Sequence, residues 1–396
     1  MKKYYNLFKK ELLSSCVPFW LKNSIDTENG GIINCVDRFG EVYSTDKSVW
    51  MQGRCAWTFS YIYNEIEKNE EYIKLAKSCI DFLNNHCIDK DGRMFFTVTN
   101  DGKPLRKRRY FFSETFYIIA NAEYYKATKD VNCLMSAKKY FNFVYEIYKN
   151  PALDPYKITP KSYSDTRNVK SLANPMILLN VASVLKSADQ ENLEYYQNII
   201  TDLIEDVKVF YKPEYKATFE NVNAEDNSVI LECSTTRVIN PGHDIECAWF
   251  LLEEGVARKD ESLINFAKEM FDNALSFGWD KKYGGILYFK DVLGKPVEAY
   301  EHDMKLWWPH NEAIIASLYF YYATKDVKYK KIFKKITKYA FKHFSDKKYG
   351  EWFGYLRRDG KPTEPIVKGH TYKGPFHVMR MLAKCLSLMD KYEKNC

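Results

Sequence analysis

No CxxC pair occurs among the ten cysteines of this 396-residue chain, which removes zinc-ribbon and thioredoxin-type readings. No stretch approaches the ~20 consecutive apolar residues that span a bilayer, so a membrane-spanning protein is excluded. The opening Met1–Cys16 segment is charged and amphipathic and lacks an apolar run ending in small residues. No secretory signal is read there, and the expectation is a cytoplasmic protein with reduced, mostly buried cysteines. Charge of one sign is also missing: 59 Lys and Arg against 52 Asp and Glu leave +7. That balance describes a mixed, solvated surface and argues against a nucleic-acid partner. The densest basic run, Lys103–Arg109, reads either as a solvated loop or as an anion or nucleotide contact. Neither HExxH nor GxxxxGK[ST] is present, and histidine is scarce, with seven in all.

Apolar residues make up 46% and aromatics 16%, enough for a large core in an ordinary globular protein. Length alone suggests two domains, but the pattern says otherwise. Helical periodicity predicts twelve helices: Tyr4–Trp20, Trp50–Ile66, Tyr72–Cys87, Phe112–Ala127, Val131–Tyr148, Pro175–Leu185, Glu191–Tyr211, Asp244–Val256, Leu263–Phe277, Asn311–Tyr322, Tyr329–Phe344 and His377–Met389. Between helix pairs, Gly30–Gly40, Gly92–Gly102, Gly284–Asp291 and Gly350–Gly360 combine a Gly start with β-formers and read as β-hairpins. Three of these regions share the tripeptide Gly-Lys-Pro, at 102, 294 and 360.

Polar residues near the start of every second helix, Arg54, Glu114, Asn174, His243, His310 and His377, are separated by 60, 60, 69, 67 and 67 residues. Six helical hairpins of about 66 residues account for the chain, and stacked hairpins bury what one cannot bury alone. The expectation is an all-α (α/α)6 barrel, one domain over 1–396, with short β-hairpins between units. Alternate helices would then place these polar residues at one end of the barrel, where helix N-termini favour negative charge.

Three histidines at repeat positions carry the chemistry. They could build a zinc site, but Arg54 aimed at the same cavity opposes a cation, so no metal is expected. Glycoside hydrolysis would use paired acids, for which Glu114, Glu246 and Glu312 are available, but histidines dominate the repeat positions. Two histidines on opposite sides of a carbon can remove a proton from one face and return it to the other. Arg54 would stabilise the enolate oxygen that forms between the two steps. Trp308, next to Trp307 and close to His310, is the best candidate for stacking on a sugar.

The chain resembles the N-acylglucosamine 2-epimerase family, the group that includes renin-binding protein. The resemblance lies in Val49-Trp-Met-Gln-Gly-Arg54, Phe112-Ser-Glu-Thr-Phe-Tyr117, Asn174-Pro-Met-Ile-Leu-Leu-Asn180, Asn240-Pro-Gly-His-Asp-Ile-Glu246, Met304-Lys-Leu-Trp-Trp-Pro-His-Asn-Glu-Ala313 and Lys373-Gly-Pro-Phe-His-Val-Met-Arg380. It implies an (α/α)6 barrel that interconverts N-acetyl-D-glucosamine and N-acetyl-D-mannosamine through the ring-opened sugar. The acid/base pair falls on His243 and His377, the essential Arg on Arg54 and the essential Glu on Glu312. Glu114, Asn180, Glu246, His310 and Arg380 would hold sugar hydroxyls or orient the histidines. The resemblance further implies a homodimer and no required cofactor, with ATP as an activator that is not consumed. Relatives acting on mannose or cellobiose carry a third His where this chain has Met176, which disfavours the aldose–ketose isomerase alternative. His370 departs from the family pattern and is expected to reshape the mouth of the site.

Overall fold

The computed structural model describes residues 1–157 and 162–393. Twelve long helices, numbered α1 to α12 in chain order, organise it. The first six are α1 (Lys2–Glu11, a π-helical turn Leu12–Cys16, then Val17–Asn23), α2 (Val49–Glu65), α3 (Glu70–His86), α4 (Phe112–Thr128), α5 (Val131–Lys149) and α6 (Ala173–Ala188). The rest are α7 (Leu193–Lys208), α8 (Pro241–Arg258), α9 (Glu261–Gly278), α10 (Trp307–Thr324), α11 (Val327–His343) and α12 (His377–Glu393). All twelve predicted helices are present. The π turn in α1 precedes Pro18, which has no N–H to give and crowds the carbonyl one turn back.

Even-numbered helices form an inner ring and odd-numbered helices an outer one. Composition explains the sorting. Inner α10 contains no Lys, Arg or Asp and is buried nearly all round. Outer α11 carries seven lysines and buries one stripe, Tyr329, Phe333, Ile336 and Ala340, at helical spacing. Each inner helix packs on the next, and α12 packs back against α2. The ring therefore closes, as the repeat count predicts for an (α/α)6 barrel.

Three inner-to-outer turns share one device. Lys129, Lys259 and Lys325 take left-handed backbone conformations, and the following Asp130, Asp260 and Asp326 cap α5, α9 and α11 through their side-chain oxygens. Short strands occupy the opposite end, where the inner helices begin. Lys47–Ser48, Val169–Ser171, Val238–Ile239 and Lys305–Leu306 lead directly toward α2, α6, α8 and α10.

The hairpin expectation needs correction at one of its four places. Cys35–Val36 with Val42–Ser44, and Thr97–Val98 with Pro104–Arg106, are hairpins. Tyr355–Leu356 also turns back locally, Leu356 bridging antiparallel to Pro362 and the Arg357 N–H bonding the Lys361 carbonyl, while it pairs with Lys305–Leu306 as well. Lys290–Asp291 instead pairs with Val238–Ile239. Joining a hairpin arm to the strand before an inner helix satisfies backbone groups on both segments. Two further pairings, Tyr211–Lys212 with Ala217–Thr218 and Val169–Ser171 with Asn221–Asn223, lie in stretches without glycine signals.

Candidate active site

Four inner helices, α2, α8, α10 and α12, direct side chains into one cluster at the strand-covered end. His377 is the first residue of α12, and its Nδ1 lies 2.9 Å from Glu312 Oε1 on α10. Glu312 is fully buried, and both of its carboxylate oxygens are engaged. Its Oε2 accepts from Trp249 Nε1 at 2.9 Å, and Oε1 also receives Arg380 Nη2 at 2.6 Å. Arg380 lies one turn below His377 on α12 and bridges Glu312 to Glu246 of α8. His243, on the first turn of α8, turns its Nδ1 to Glu220, 2.9 and 3.1 Å from the two carboxylate oxygens. The Nδ1–H to carboxylate bonds fix both imidazole tautomers and leave Nε2 as the nitrogen available to a substrate.

Trp308 packs near both histidines, its ring centroid 5.1 Å from that of His243 and 6.0 Å from that of His377. Gly242 makes room for it: a Cβ there would come within 2.5 Å of the Trp308 ring. Any larger residue would push the indole off the start of α8.

Electrostatics separates the two histidines. Burial works against charge on His243, but the adjacent Glu220 carboxylate more than offsets it and raises its pKa above the ordinary histidine value. Burial, reinforced by Arg380 and Arg54, drives His377 well below that value. The shifts run in opposite directions, so His377 favours the neutral base and His243 holds a proton more readily than an ordinary histidine. Arg54, in the second turn of α2, has no carboxylate within ion-pairing distance among the described residues. Its guanidinium packs over Phe116 and Phe376, 4.2 and 4.8 Å from the ring centroids, and reaches only the Tyr372 carbonyl at 3.4 Å. Burial and then Arg380 push its pKa down to about 9, so it remains cationic at neutral pH. Its Nε is buried without a partner, leaving a donor for an oxyanion. Glu246, Glu312 and His377 offer ligand atoms within 4.8 Å of one another, a geometry that could hold a cation. The Arg380 guanidinium already bonds both carboxylates and supplies the positive charge a metal ion would bring.

Seven of the ten sequence-predicted residues are thus brought together: Arg54, His243, Glu246, Trp308, Glu312, His377 and Arg380. Glu114 and His310 are not. Glu114 is fully buried, pairs with Arg93 at 2.7 Å and accepts the Met94 backbone N–H at 2.7 Å. His310, also fully buried, donates from Nδ1 to the Leu306 carbonyl and accepts the Ile286 N–H at Nε2. Gln52 takes the Ile32 N–H in the same way. These three positions pin the β-segments to the inner helices, so the substrate-contact reading of Glu114 and His310 is withdrawn. Asn180, partly exposed on α6, makes none of the cluster's hydrogen bonds. The shared repeat phase also loosens: Arg54 is the sixth residue of its helix, whereas His243 is the third and His377 the first. Glu220, which sequence reasoning missed, sits beside the edge strand Asn221–Asn223 with no motif to mark it. His370 lies at the mouth, its ring 6.1 Å from Trp307 and 5.3 Å from Tyr355.

Residues 31–379 match the profile of the family described as N-acylglucosamine 2-epimerase (GlcNAc 2-epimerase). The chain belongs to the N-acylglucosamine 2-epimerase family. It is 35% identical over 384 residues to the N-acylglucosamine 2-epimerase of Bos taurus, covering 96% of this chain and 89% of that protein. The Homo sapiens enzyme is 34% identical over 383 residues, covering 95% and 88%. Among solved structures, the cellobiose 2-epimerase of Bacillus thermoamylovorans superposes with a TM-score of 0.84 at 24% identity, over 99% of this chain and 100% of that one. A D-mannose isomerase gives 0.81 at 17% identity, over 99% and 98%. These last two likenesses establish the barrel, and the curated relatives establish a sugar 2-epimerase.

Proposed function

We propose that this epimerase interconverts N-acetyl-D-glucosamine and N-acetyl-D-mannosamine. The observation that carries the reading is the pair His243 and His377, both packed near Trp308, each with Nδ1 turned to a carboxylate and with pKa values shifted in opposite directions. With the ring-opened sugar bound, neutral His377 Nε2 takes the C2 proton. The C2–H electron pair becomes the C1=C2 bond, and the negative charge develops on O1, where Arg54 meets it. His243 Nε2–H then returns a proton to C2 from the opposite face, inverting that carbon. Each positioned proton-transfer group contributes ~10²–10⁴-fold. Met176, at the place of the third histidine of the mannose-type enzymes, is buried in the core and cannot shuttle a proton.

Three further elements extend this reading: a cytoplasmic location, as expected from the sequence, and, from the family resemblance, a homodimer and activation by ATP without its consumption. The test is incubation with N-acetylmannosamine in D2O, with and without ATP, following C2 by NMR. N-acetylglucosamine carrying deuterium at C2 is the expected product. His243→Ala and His377→Ala are each expected to abolish turnover while circular dichroism stays native. Turnover retained in either variant, or mannose converted to fructose while the N-acetyl sugar stays inert, would overturn the proposal.

A further inference from the structure

His370, at the mouth of the site, takes no part in the proton transfers, and its hydrogen bonding is incomplete. The turn that carries it is pinned from several sides. The Tyr43 hydroxyl donates to the Gly369 carbonyl and the Ser48 hydroxyl to the Thr371 carbonyl, each at 2.9 Å. His370 and Lys373 exchange both backbone hydrogen bonds, at 2.9 and 3.2 Å. The buried Lys373 ammonium bonds Glu351 at 3.0 Å and the Lys368 carbonyl at 2.8 Å. Within this turn His370 Nδ1 accepts the Tyr372 backbone N–H at 3.1 Å. Burial pushes the His370 pKa down to about 4, so the ring is neutral at pH 7. The nitrogen that accepts carries no proton, which places the one ring proton on Nε2. That N–H is buried and has no partner among the described residues, and folded proteins rarely leave such a donor unmet.

The unmet donor borders two of the three reacting groups. Trp307 meets both His370 and His377 edge-on, with ring centroids 6.1 and 6.2 Å from theirs. On the other side, Tyr372, whose N–H the His370 ring holds, gives its carbonyl to Arg54. One side chain therefore separates His370 from the base, and one residue separates it from the oxyanion donor. The rings of Trp307, Tyr355 and Tyr372 surround it, Tyr355 at 5.3 Å and Tyr372 at 6.0 Å. Such walls keep water from competing for a single N–H and strengthen whatever bond it makes.

We propose that His370 is a specificity-determining residue whose Nε2–H donates a hydrogen bond to a neutral oxygen of the bound sugar. The inference rests on the epimerase reading above. The N-acyl carbonyl and the sugar hydroxyls share the required chemistry, and the test separates them. Because the turn is fixed before the sugar arrives, the contact forms with little loss of conformational freedom.

Two substitutions divide the two ring nitrogens between them. His370→Asn keeps an acceptor at the place of Nδ1 and removes the Nε2 donor, whereas His370→Gln keeps a donor at the place of Nε2 and gives up the acceptor. With N-acetylmannosamine, His370→Asn is expected to raise KM about three- to tenfold, the loss of one neutral hydrogen bond, with kcat little changed. His370→Gln is expected to stay within about twofold of the wild type. Calorimetric binding of two unreactive open-chain ligands, N-acetylmannosaminitol and mannitol, then locates the acceptor. Weakening by His370→Asn of the acetylated ligand alone assigns the acyl carbonyl, and equal weakening of both assigns a hydroxyl. A KM unchanged in His370→Asn, a loss confined to His370→Gln, or neither ligand weakened leaves His370 only the task of holding the turn and overturns the proposal, with the epimerase reading standing. Failure of the wild type to turn over N-acetylmannosamine overturns that reading and the proposal with it.

Discussion

Glu220→Gln is the most informative single substitution in the site, because it keeps a hydrogen-bond acceptor beside His243 and removes only the charge. A hydrogen bond to a charged group contributes ~1.5–3 kcal/mol and a neutral one ~0.5–1.5 kcal/mol. The difference, ~1–2 kcal/mol, corresponds to about one pKa unit at ~1.36 kcal/mol per unit. Little discount for solvent screening applies, since the Glu220 side chain is 15% exposed and that of His243 27%. The carboxylate favours the imidazolium, so the variant lowers the pKa of His243. In the direction that uses His377 as base, kcat/KM needs His377 neutral and His243 protonated. Its alkaline limb, set by His243, is expected to move down by about one unit, and its acid limb, set by His377, to stay in place. Stability gives an independent reading of the same charge. A histidine pKa raised in the fold contributes stability that is fully present below the unfolded value of ~6.5 and is lost as pH rises through the folded value. The variant therefore loses ~1–2 kcal/mol of unfolding free energy near pH 6 and much less near pH 9. An alkaline limb that stays where it was, or an acid limb that moves instead, would refute the assignment of Glu220 as the group that holds His243 charged.

Two further outcomes follow from buried charge. Arg380→Leu leaves Glu246 and Glu312 without the cation that bridges them, and urea unfolding is expected to show a loss of ~3–5 kcal/mol; a loss below ~1 kcal/mol would mean the cluster is not a closed network. Burial holds His310 down to about 3, His370 to about 4 and His377 well below the ordinary value, so their contribution is present above the unfolded pKa of ~6.5 and is lost as pH falls from there toward the folded values, each adding up to ~1.4 kcal/mol per pH unit. His310→Gln is expected to flatten that slope between about pH 6 and 4 by close to one proton's worth, read from urea midpoints, and an unchanged slope would place the His310 proton elsewhere.

How far the sequence could be read depended on what each residue had to satisfy. The twelve helices were legible because both rings leave strong patterns: apolar stripes such as Tyr329, Phe333, Ile336 and Ala340 on outer helices, near-continuous apolar runs on inner ones. The turns were legible too, though by a signal other than the one used. Ala-Thr-Lys-Asp-Val occurs identically at 127–131 and 323–327, and both copies place Lys in the left-handed region and Asp at the N-cap. The strand partners were not legible, because Lys290–Asp291 could close locally or join Val238–Ile239 with the same residues. Glu114 and His310 misled for a specific reason. A polar residue near an inner-helix start can face the cavity or can accept a backbone N–H from the neighbouring strand, and composition is the same in both cases. Glu220 had no signal at all: it precedes His243 by 23 residues, on a short strand edge with neither period nor glycine.

The deeper asymmetry of the site is not in its histidines. Both turn Nδ1 to a carboxylate oxygen 2.9 Å away, and a pair of equal contacts would give equal charge states. What differs is who else holds each carboxylate. Glu312 is already neutralised by Arg380 and bonded by Trp249, and Arg54 adds positive potential nearby. Its attraction for a proton on His377 is spent, and burial decides the outcome. Glu220 has no cationic partner other than His243 among the described residues, so no other cation competes for its attraction to a proton on that ring. A reaction that must take a proton from one face and deliver it to the other needs a base and an acid at the same moment. Two chemically identical side chains supply both here because burial acts almost unopposed on His377, whose carboxylate Arg380 already holds, whereas the Glu220 carboxylate outweighs it on His243.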